Sequence, residues 1–557
     1  MIQIKEEIGT ILSGSTTKNS RFQLLENSEA GKIYEGMLVL VSTVSAKILA
    51  RVANIIPFNA YYTQDDPWSE ARRKGLKIPD NIARQYEICE LDLLIELPHK
   101  EITYPPRPGD KVLKIDLEEH SEDIFGISRD KPGYVWFGSL FGYKNFPIPL
   151  DIEKIPMHMA VFGTTGSGKS FSTGALLEKF MGIKADKYRS VSFPMMIIDA
   201  NGDYIEYANY FKKGEVDERI RPVGWVKRFV FPHVADENPE LKGEPLIAVD
   251  MDRLSAKEMA ETIVMFHKGS LEGADLQISG MTTLFEYLKE EYSSLHEIFV
   301  DEDLYKELIN ELREFDTNKI AAPTKPAIER AFEKFREIDK SYSILSAKHR
   351  SELTEDSFID DITENGGIAI IDFSEEGATG VDLQVKQLVM TYLASLLFNK
   401  FAKYKIENKT RYLIFLIEEA QNFIPDKSYP ISSSLAKNKL SLIATQGRKF
   451  GLSLCIVTQR PSFIDRIVLS MCNTFFIHRI SPDDVSYVRK ATGGLPSSLE
   501  ARLTSLSQGQ MIVTGQMNKL PFPIMLNVPE DVRIVPHPAG TTEVLSTLKK
   551  LRENDFL

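Results

Sequence analysis

Residues 157–181 read MHMAVFGTTGSGKSFSTGALLEKFM, and this stretch decides the fold. An apolar run, a glycine-rich turn and a helix-forming segment follow one another directly, in the order of a buried strand, a loop and a helix. Residues Gly163 to Ser170 match the pattern G-x-x-x-x-G-K-[ST] in full. Glycines let successive backbone N–H groups point inward, and the helix start adds a positive dipole end, so such a loop binds phosphate oxygens. The stretch therefore predicts an α/β fold with a nucleotide-binding turn.

The residues of this turn have expected roles at the nucleotide. Lys169 reaches the β- and γ-phosphates, and the Ser170 hydroxyl is a ligand of Mg²⁺. A chance glycine turn is the alternative, and the complete match between a strand and a helix disfavours it. The predicted nucleotide-binding set is Gly163, Thr164, Thr165, Gly166, Ser167, Gly168, Lys169, Ser170 and Phe171.

A second buried run, residues 413–419, reads LIFLIEE and ends in two acidic residues. A strand that ends in carboxylates downstream of a phosphate-binding loop is the Walker B arrangement. We expect Glu418 to hold the Mg²⁺ shell and Glu419 to polarise the attacking water. Alone this signal is weak, because many strands end in acidic turns, and the complete loop upstream strengthens it.

Polar side chains close three further buried runs, at Asp199, Asp372 and Gln459. The carboxyl ends of parallel strands meet at one edge of a sheet, where ligands bind. We expect Gln459 to sense the γ-phosphate or orient water, and a plain turn residue is the alternative. For Asp199 a helix cap or loop hydrogen bond is an equal alternative, and Asp372 is interpreted as structural.

The segment TQGRKFG, residues 445–451, precedes the buried run LSLCIVT. Ring-forming ATPases need an arginine from a neighbouring subunit to neutralise charge in the transition state. Arg448 is our candidate for this arginine, and Arg479 is the second candidate. The alternative is that the charged pair Arg448 and Lys449 is only a solvated helix end.

The rest of the chain divides by composition into regions of different predicted structure. Short apolar runs with Gly and Pro between them predict a small β-barrel over residues 1–150. Apolar strands alternating with helices predict a RecA-like core with a mostly parallel sheet, split into residues 151–254 and 361–535. Leucines and phenylalanines at helical spacing among dense charge predict a helical-bundle insertion over 255–360. A charged helix is expected in the tail, 536–557.

Composition limits the partners and the compartment. The formal net charge is −12, so any contact with nucleic acid must come from a local basic feature such as a pore lining, and the charge fits equally a protein that touches no nucleic acid. The three cysteines are too few and too scattered for a disulfide framework or a zinc site, and Cys455 and Cys472 are expected to be buried thiols. Neither a signal peptide nor a membrane span is visible, so we expect a cytoplasmic protein without a membrane partner.

Five segments, in chain order, closely resemble the HerA branch of the HerA/FtsK superfamily: GTTGSGKS, IIDANGDY, FLIEEAQNF, TQGRKFGLSLCIVTQRPS and NTFFIHRISPDD. The N-terminal segments IGTILSGSTTKNSRFQL and KILARVANI resemble the barrel of that family. The resemblance covers nearly the whole chain, and TQGRKFG followed by TQRPS is its most specific part.

The resemblance implies a homohexameric ring that hydrolyses ATP between subunits and threads double-stranded DNA through its pore. It implies a separate partner, often a nuclease, docked on the ring for DNA end processing or anti-phage defence. It assigns the ATP-site roles to Lys169, Ser170, Glu418, Glu419, Arg448 and Gln459. At the position just ahead of the P-loop strand, where the family has a basic residue, this chain has His158.

Two alternatives to a DNA motor stay open at this point. One is an ATP-binding ring that assembles and regulates a defence effector without significant translocation. The other is a secretion or conjugation ATPase of the same superfamily, disfavoured by the N-terminal barrel. The histidines do not cluster at metal-ligand spacing, so any DNA cutting must come from another chain. Lys437 and Lys439, in a predicted loop, are candidates for the pore, and solvated surface lysines are the alternative.

Overall fold

The computed structural model describes residues 6–26, 33–63, 68–77, 85–97, 100–115, 124–143, 145–430 and 434–537. The N-terminal strands close into a barrel in the order β1-β2-β5-β4-β3-β6, as expected for this region. Exposed and buried residues alternate along β2, as expected for a barrel strand with one face in solvent and the other in the core. The six strands are β1 (Glu6–Ile11), β2 (Asn19–Leu24), β3 (Leu38–Ser42), β4 (Lys47–Phe58), β5 (Tyr86–Leu97) and β6 (Lys111–Lys114).

The remaining strands build one large sheet and two small ribbons. They are β7 (Tyr134–Phe137), β8 (Ser139–Leu140), β9 (Ile148–Asp151), β10 (Met159–Phe162), β11 (Ile183–Lys184), β12 (Ser190–Val191), β13 (Met195–Asp199), β14 (Val226–Phe229), β15 (Ile368–Asp372), β16 (Leu413–Ile417), β17 (Leu452–Thr458), β18 (Thr474–Ile477), β19 (Gln510–Gly515) and β20 (Ile524–Asn527). The ribbons pair β7 with β9 and β11 with β12.

The large sheet has ten strands in the order β14-β15-β13-β16-β17-β10-β18-β19-β20-β8 within the described part of the chain. The seven strands from β14 to β18 are parallel, which confirms the mostly parallel sheet. The last three pairings are antiparallel, so the sheet is parallel only as far as β18, and β19, within the predicted core region 361–535, departs from the parallel pattern. The strand β10, which leads into the phosphate-binding loop, lies in the interior of the sheet, between β17 and β18.

The barrel ends earlier than the expected boundary at residue 150. Ser139 and Leu140 already pair with β20 and so belong to the large sheet. The barrel joins that sheet through a buried cation, because Arg51 forms an ion pair with Asp92 and also donates to the Pro523 carbonyl at 3.2 Å. The region 1–150 therefore contains the barrel and the first edge strand of the core.

Besides short 3-10 helices, fifteen α-helices are described: α1 (Ser69–Arg73), α2 (Lys169–Met181), α3 (Ile205–Lys212), α4 (Pro232–Glu237), α5 (Ala256–Lys268), α6 (Asp275–Glu291), α7 (Leu295–Val300), α8 (Glu302–Glu314), α9 (Lys325–Tyr342), α10 (Phe358–Asn365), α11 (Leu383–Ile406), α12 (Leu435–Gln446), α13 (Arg466–Met471), α14 (Pro482–Ala491) and α15 (Ser497–Glu500). The five from α5 to α9 lie within the region of the expected insertion, and α10 begins at its end and runs past residue 360. A capping box of Ser255 and Glu258 starts α5.

Apolar cores cover both faces of the large sheet, which is why its central strands are uninterrupted apolar runs. One core joins side chains of the sheet, such as Ile417, to those of the inserted helices, such as Phe332. The other joins the opposite face, through Val161, to barrel residues such as Leu40. The inserted helices thus share a core with the sheet and do not form a separate unit.

Three further expectations concern termini, membranes and thiols. The expected tail helix lies outside the described residues. Among the helices that the structure describes, none combines the length and apolarity required to cross a bilayer. All three cysteines are free and buried, as expected for Cys455 and Cys472.

Candidate functional site

The glycine-rich turn lies between β10 and α2, at the carboxyl edge of the sheet, as the sequence predicts. Neighbouring strand ends hold it in place. The Gly163 N–H donates to the Thr458 carbonyl at 3.2 Å, and the Thr164 N–H donates to the Arg479 carbonyl at 2.8 Å. The loop is thereby fixed before any ligand arrives, and its N–H groups can be presented as a preformed concave surface.

Two glycines of the turn are required by space and backbone conformation. Gly168 has φ +90°, and a Cβ there would lie 2.8 Å from the backbone nitrogen of Gly509. A Cβ on Gly163 would lie 2.6 Å from the Ser167 hydroxyl. A side chain at either position would push the loop out of shape, so the motif glycines are explained by close packing.

Glu418, at the end of β16, is fully buried and faces the start of α2. Its Oε2 accepts hydrogen bonds from the backbone N–H groups of Ala200 and Asn201, at 3.1 and 3.3 Å. Its Oε1 has no hydrogen-bond partner among the described residues. Burial raises the pKa of Glu418 well above its usual value, Asp199 raises it further, and the Lys169 ammonium opposes both. A buried carboxylate oxygen without a partner beside a lysine is an oxygen site that calls for a cation.

Glu419 is held in a strained conformation with both carboxylate oxygens bonded. Its φ is +46°, a left-handed conformation that is unusual for a residue other than glycine. The Gln459 amide donates to Oε1 at 2.6 Å, and the Gln421 amide donates to Oε2. The Gln459 oxygen accepts a hydrogen bond from the Thr165 hydroxyl at 2.7 Å. One hydrogen-bonded chain therefore joins the phosphate-binding loop to the predicted catalytic carboxylate.

Asp199 and Asp372 lie side by side at the ends of β13 and β15, and both have structural partners. Asp199 accepts from the backbone N–H groups of residues 202–204, at 2.7 to 3.0 Å, which makes it the anchor of the following turn. Burial, with the Asp372 charge second, raises the pKa of Asp199 to about 7. Asp372 pairs with the buried guanidinium of Arg228, at 2.6 and 2.8 Å. For Asp199 the loop-bond alternative is the one that the structure shows.

The two candidate arginines lie at opposite edges of the sheet. Arg448 is exposed and precedes β17, whereas the P-loop follows β10, and these two strands run parallel with Thr458 opposite Phe162. The length of β17 places Arg448 roughly 20 Å from the P-loop edge of its own chain. Arg479 follows β18 at the P-loop edge, and its carbonyl accepts from both the backbone N–H and the hydroxyl of Thr164.

His158 does not provide an accessible cation ahead of the P-loop strand. Its ring is buried, bonded through Nε2 to the Ala444 carbonyl at 2.9 Å, and its Nδ1 accepts from the Leu454 N–H at 2.9 Å. Burial, helped by the charge of Arg448, lowers the pKa of His158 to about 4. It is therefore a neutral brace between α12 and β17.

The sequence predicts a loop at Lys437 and Lys439, but both residues lie on the helix α12. Lys437 forms an ion pair with Asp465 at 2.9 Å and donates to the Pro425 carbonyl at 2.8 Å. Lys439 pairs with Glu258 of the inserted helices. Both ammonium groups are mostly buried and neutralised within the chain, and this placement argues against either as a pore contact.

Sequence reasoning missed several residues around the site. Gln421 and Thr458 complete the surroundings of Glu419, and FLIEEAQNF and LSLCIVT contain them without marking their role. Near Phe171, the Arg533 guanidinium lies 5.6 Å from the centre of the aromatic ring. Glu178 of α2 accepts from the backbone N–H groups of residues 534 and 535, at 2.6 and 2.9 Å. The segment that follows β20 thus packs on the P-loop helix, and no local pattern signals this.

Metal-ligand geometry beyond this site is limited. Within the described ranges, no group of three or more His, Cys, Asp or Glu side chains could hold a metal ion. The oxygen donors beside the P-loop, the Ser170 hydroxyl and the Glu418 carboxylate, are of the hard type that Mg²⁺ prefers. The partnerless Oε1 of Glu418 is consistent with such an ion.

Comparisons with known proteins agree with this geometry. A family model described as "Helicase HerA, central domain" matches residues 135–397. The DNA double-strand break repair helicase HerA of Sulfolobus acidocaldarius is 26% identical over 539 residues, which cover 93% of each chain. A probable helicase of Methanocaldococcus jannaschii is 25% identical over 426 residues, covering 75% of this chain and 70% of the relative.

A solved structure of VirB4 of Thermoanaerobacter pseudethanolicus aligns with a TM-score of 0.46 and 13% identity, covering 72% of this chain and 97% of that one. The match to the Sulfolobus acidocaldarius relative spans 93% of this chain and so includes both the barrel and the core, in agreement with the resemblance of the motifs. Residues 135–397 of this P-loop ATPase thus match the HerA central domain, and the chain is similar to HerA helicases over most of its length.

Proposed function

We propose that this chain is the subunit of a homohexameric ring that uses ATP hydrolysis to move double-stranded DNA through its pore. The observation that carries the ATPase part is the hydrogen-bonded chain from Thr165 through Gln459 to Glu419. It connects the loop that would sense the γ-phosphate to the base that would activate water. The relatives bear the name of DNA double-strand break repair helicases, which supports DNA as the substrate that is moved.

The roles at the site follow from chemistry and position. Lys169 would neutralise the β- and γ-phosphates, and Ser170 with Glu418 would hold Mg²⁺, which supplies charge neutralisation at the phosphates when bound. Glu419 would accept the proton of the attacking water, and Gln459 would report the state of the P-loop to it. The remaining members of the loop, Gly163 to Phe171, would surround the nucleotide.

Arg448 would complete the site from the neighbouring subunit. Its separation from the P-loop edge of its own chain, roughly the length of β17, supports action across an interface, and its exposure suits such a role. Arg479, at the P-loop edge, would instead act within its own subunit. Of the two arginines that the sequence offers for action across the interface, we therefore assign that role to Arg448.

The DNA contacts and the partner complete the proposal. The ion pairs of Lys437 and Lys439 argue against a role in the pore, so the DNA-contacting residues are left unassigned. Because the chain has a formal charge of −12, DNA contact requires a small local basic surface, and a ring would repeat that surface once per subunit. We further propose that a separate nuclease or defence effector docks on the ring.

The experiment compares ATP hydrolysis by wild-type protein and two variants, with and without linear duplex DNA. Lys169→Ala should abolish hydrolysis because the phosphates lose their cation, and Glu419→Gln should still bind ATP but lose turnover. Duplex DNA should stimulate the wild-type rate. Wild-type turnover by Glu419→Gln would refute the assignment of the base. Absence of both DNA affinity and DNA stimulation would replace the motor by an ATP-binding scaffold for an effector.

A further inference from the structure

Gln421 lies on the side of Glu419 opposite to Gln459. Its amide nitrogen donates to Oε2 of Glu419, and its amide oxygen accepts from the Thr458 hydroxyl at 2.8 Å. Thr458 is fully buried, Gln421 is nearly so at 9% exposure, and the Thr458 hydroxyl also accepts from the Arg460 N–H at 3.1 Å. The Gln421 side chain is therefore fixed at both ends of its amide.

The two amides that hold Glu419 differ in what holds them. Gln459 is bonded to Thr165, an exposed residue of the P-loop, so a bound phosphate can compete for this partner. Gln421 is bonded to a buried hydroxyl at the end of β17, which no ligand reaches. One contact of the carboxylate is thus open to change during turnover, and the other is part of the fixed sheet.

We propose that Gln421, oriented by Thr458, is a positioning residue that holds the Glu419 carboxylate during ATP hydrolysis. This inference rests on the proposed role of Glu419 as the base. With its Oε2 fixed, the carboxylate keeps its plane when Gln459 changes partner, and Oε1 stays directed towards the P-loop. Without Gln421, Glu419 would keep only the hydrogen bond from Gln459. Its carboxylate, carried by a backbone in the left-handed conformation, would then be misplaced relative to the attacking water.

The test uses variants that conserve volume. Gln421→Met and Thr458→Val remove the amide and the hydroxyl, and Thr458→Ser keeps the hydroxyl. The matched control is Ser453→Ala, which removes a buried hydroxyl from the same strand that bonds the Ile155 carbonyl at 2.6 Å and does not touch Glu419. Steady-state ATP hydrolysis gives kcat and KM, a fluorescent ATP analogue gives nucleotide affinity, and circular dichroism confirms folding.

We expect Gln421→Met and Thr458→Val to lower kcat about tenfold or more, in the range of positioning effects, with nucleotide affinity near wild type. Thr458→Ser should restore most of the turnover lost in Thr458→Val, and Ser453→Ala should keep the wild-type kcat. A merely structural role would reduce folded protein and nucleotide affinity together with kcat, and that result would overturn the inference. Wild-type kcat in Gln421→Met or Thr458→Val would overturn it as well.

Glu419→Gln, measured in parallel, separates this inference from the function on which it rests. An inactive Glu419→Gln together with a fully active Gln421→Met would refute the positioning role alone. A fully active Glu419→Gln would refute the assignment of the base, and the positioning role with it.

Discussion

Arg448 lies at the amino edge of the large sheet, and Lys169 lies at the carboxyl edge. Because β17 and β10 are parallel and in register, the two residues of one chain are separated by roughly 20 Å or more. Arg448→Ala should therefore leave nucleotide binding by its own subunit nearly intact and still lower kcat by ~10³ or more, the scale of arginine fingers. An effect of this size from a residue so far from its own P-loop requires a neighbouring subunit.

Mixing two inactive variants tests whether Arg448 acts on the P-loop of a neighbouring subunit. Each interface of a ring would combine the P-loop of one subunit with the arginine of the next. In an equal mixture of Arg448→Ala and Lys169→Ala, half of the P-loops are intact, and half of their neighbours supply the arginine. Random assembly then completes about a quarter of the interfaces, whereas neither parent ring completes any. We expect mixed rings to recover roughly a quarter of the wild-type rate if the interfaces act independently.

The assay titrates one variant into the other at constant total protein and follows phosphate release. Subunits labelled with a fluorescence donor or acceptor report whether mixed rings form. Recovery should peak at the equal mixture and vanish at both ends of the titration. Mixed rings without recovery at any ratio would refute a role for Arg448 across the interface, and wild-type turnover by Arg448→Ala alone would remove it from the site.

Three further outcomes follow from charges inside the chain. Asp372→Asn leaves the buried Arg228 without its main partner and should lower the free energy of unfolding by about 3–5 kcal/mol, seen as a lower thermal midpoint. The double variant Arg228→Met, Asp372→Leu removes both charges and should recover much of that stability. Because the pKa of His158 falls from 6.5 to about 4 on folding, the unfolded chain takes up a proton first as the pH drops. The free energy of unfolding should therefore fall between pH 6.5 and 4, and His158→Gln should flatten this fall by up to ~1.4 kcal/mol per pH unit, measured by chemical denaturation at each pH. Lys437→Ala combined with Lys439→Ala should lower thermal stability and leave the salt dependence of DNA affinity unchanged, and a flatter dependence would return these lysines to the pore.

Most of the fold could be predicted because its signals are local. The P-loop needs a strand, a tight turn and a helix in direct succession, and residues 157–181 contain all three. The parallel core could be predicted from long apolar runs, since strands covered on both faces have no polar side to alternate. The antiparallel addition of β19, β20 and β8 could not, because a short apolar strand reads the same in either direction.

The sequence could not supply contacts between segments that lie far apart in the chain. Gln421 meets Thr458 because β16 and β17 are neighbours, and Lys439 meets Glu258 because α12 packs beside α5. A lysine read in isolation is expected to be solvated or to bind an anion, and only a carboxylate brought in from a distant segment decides otherwise. The residue types at a strand end indicate which chemistry is possible there. The neighbours of that strand in the sheet decide which of its side chains are free to perform it.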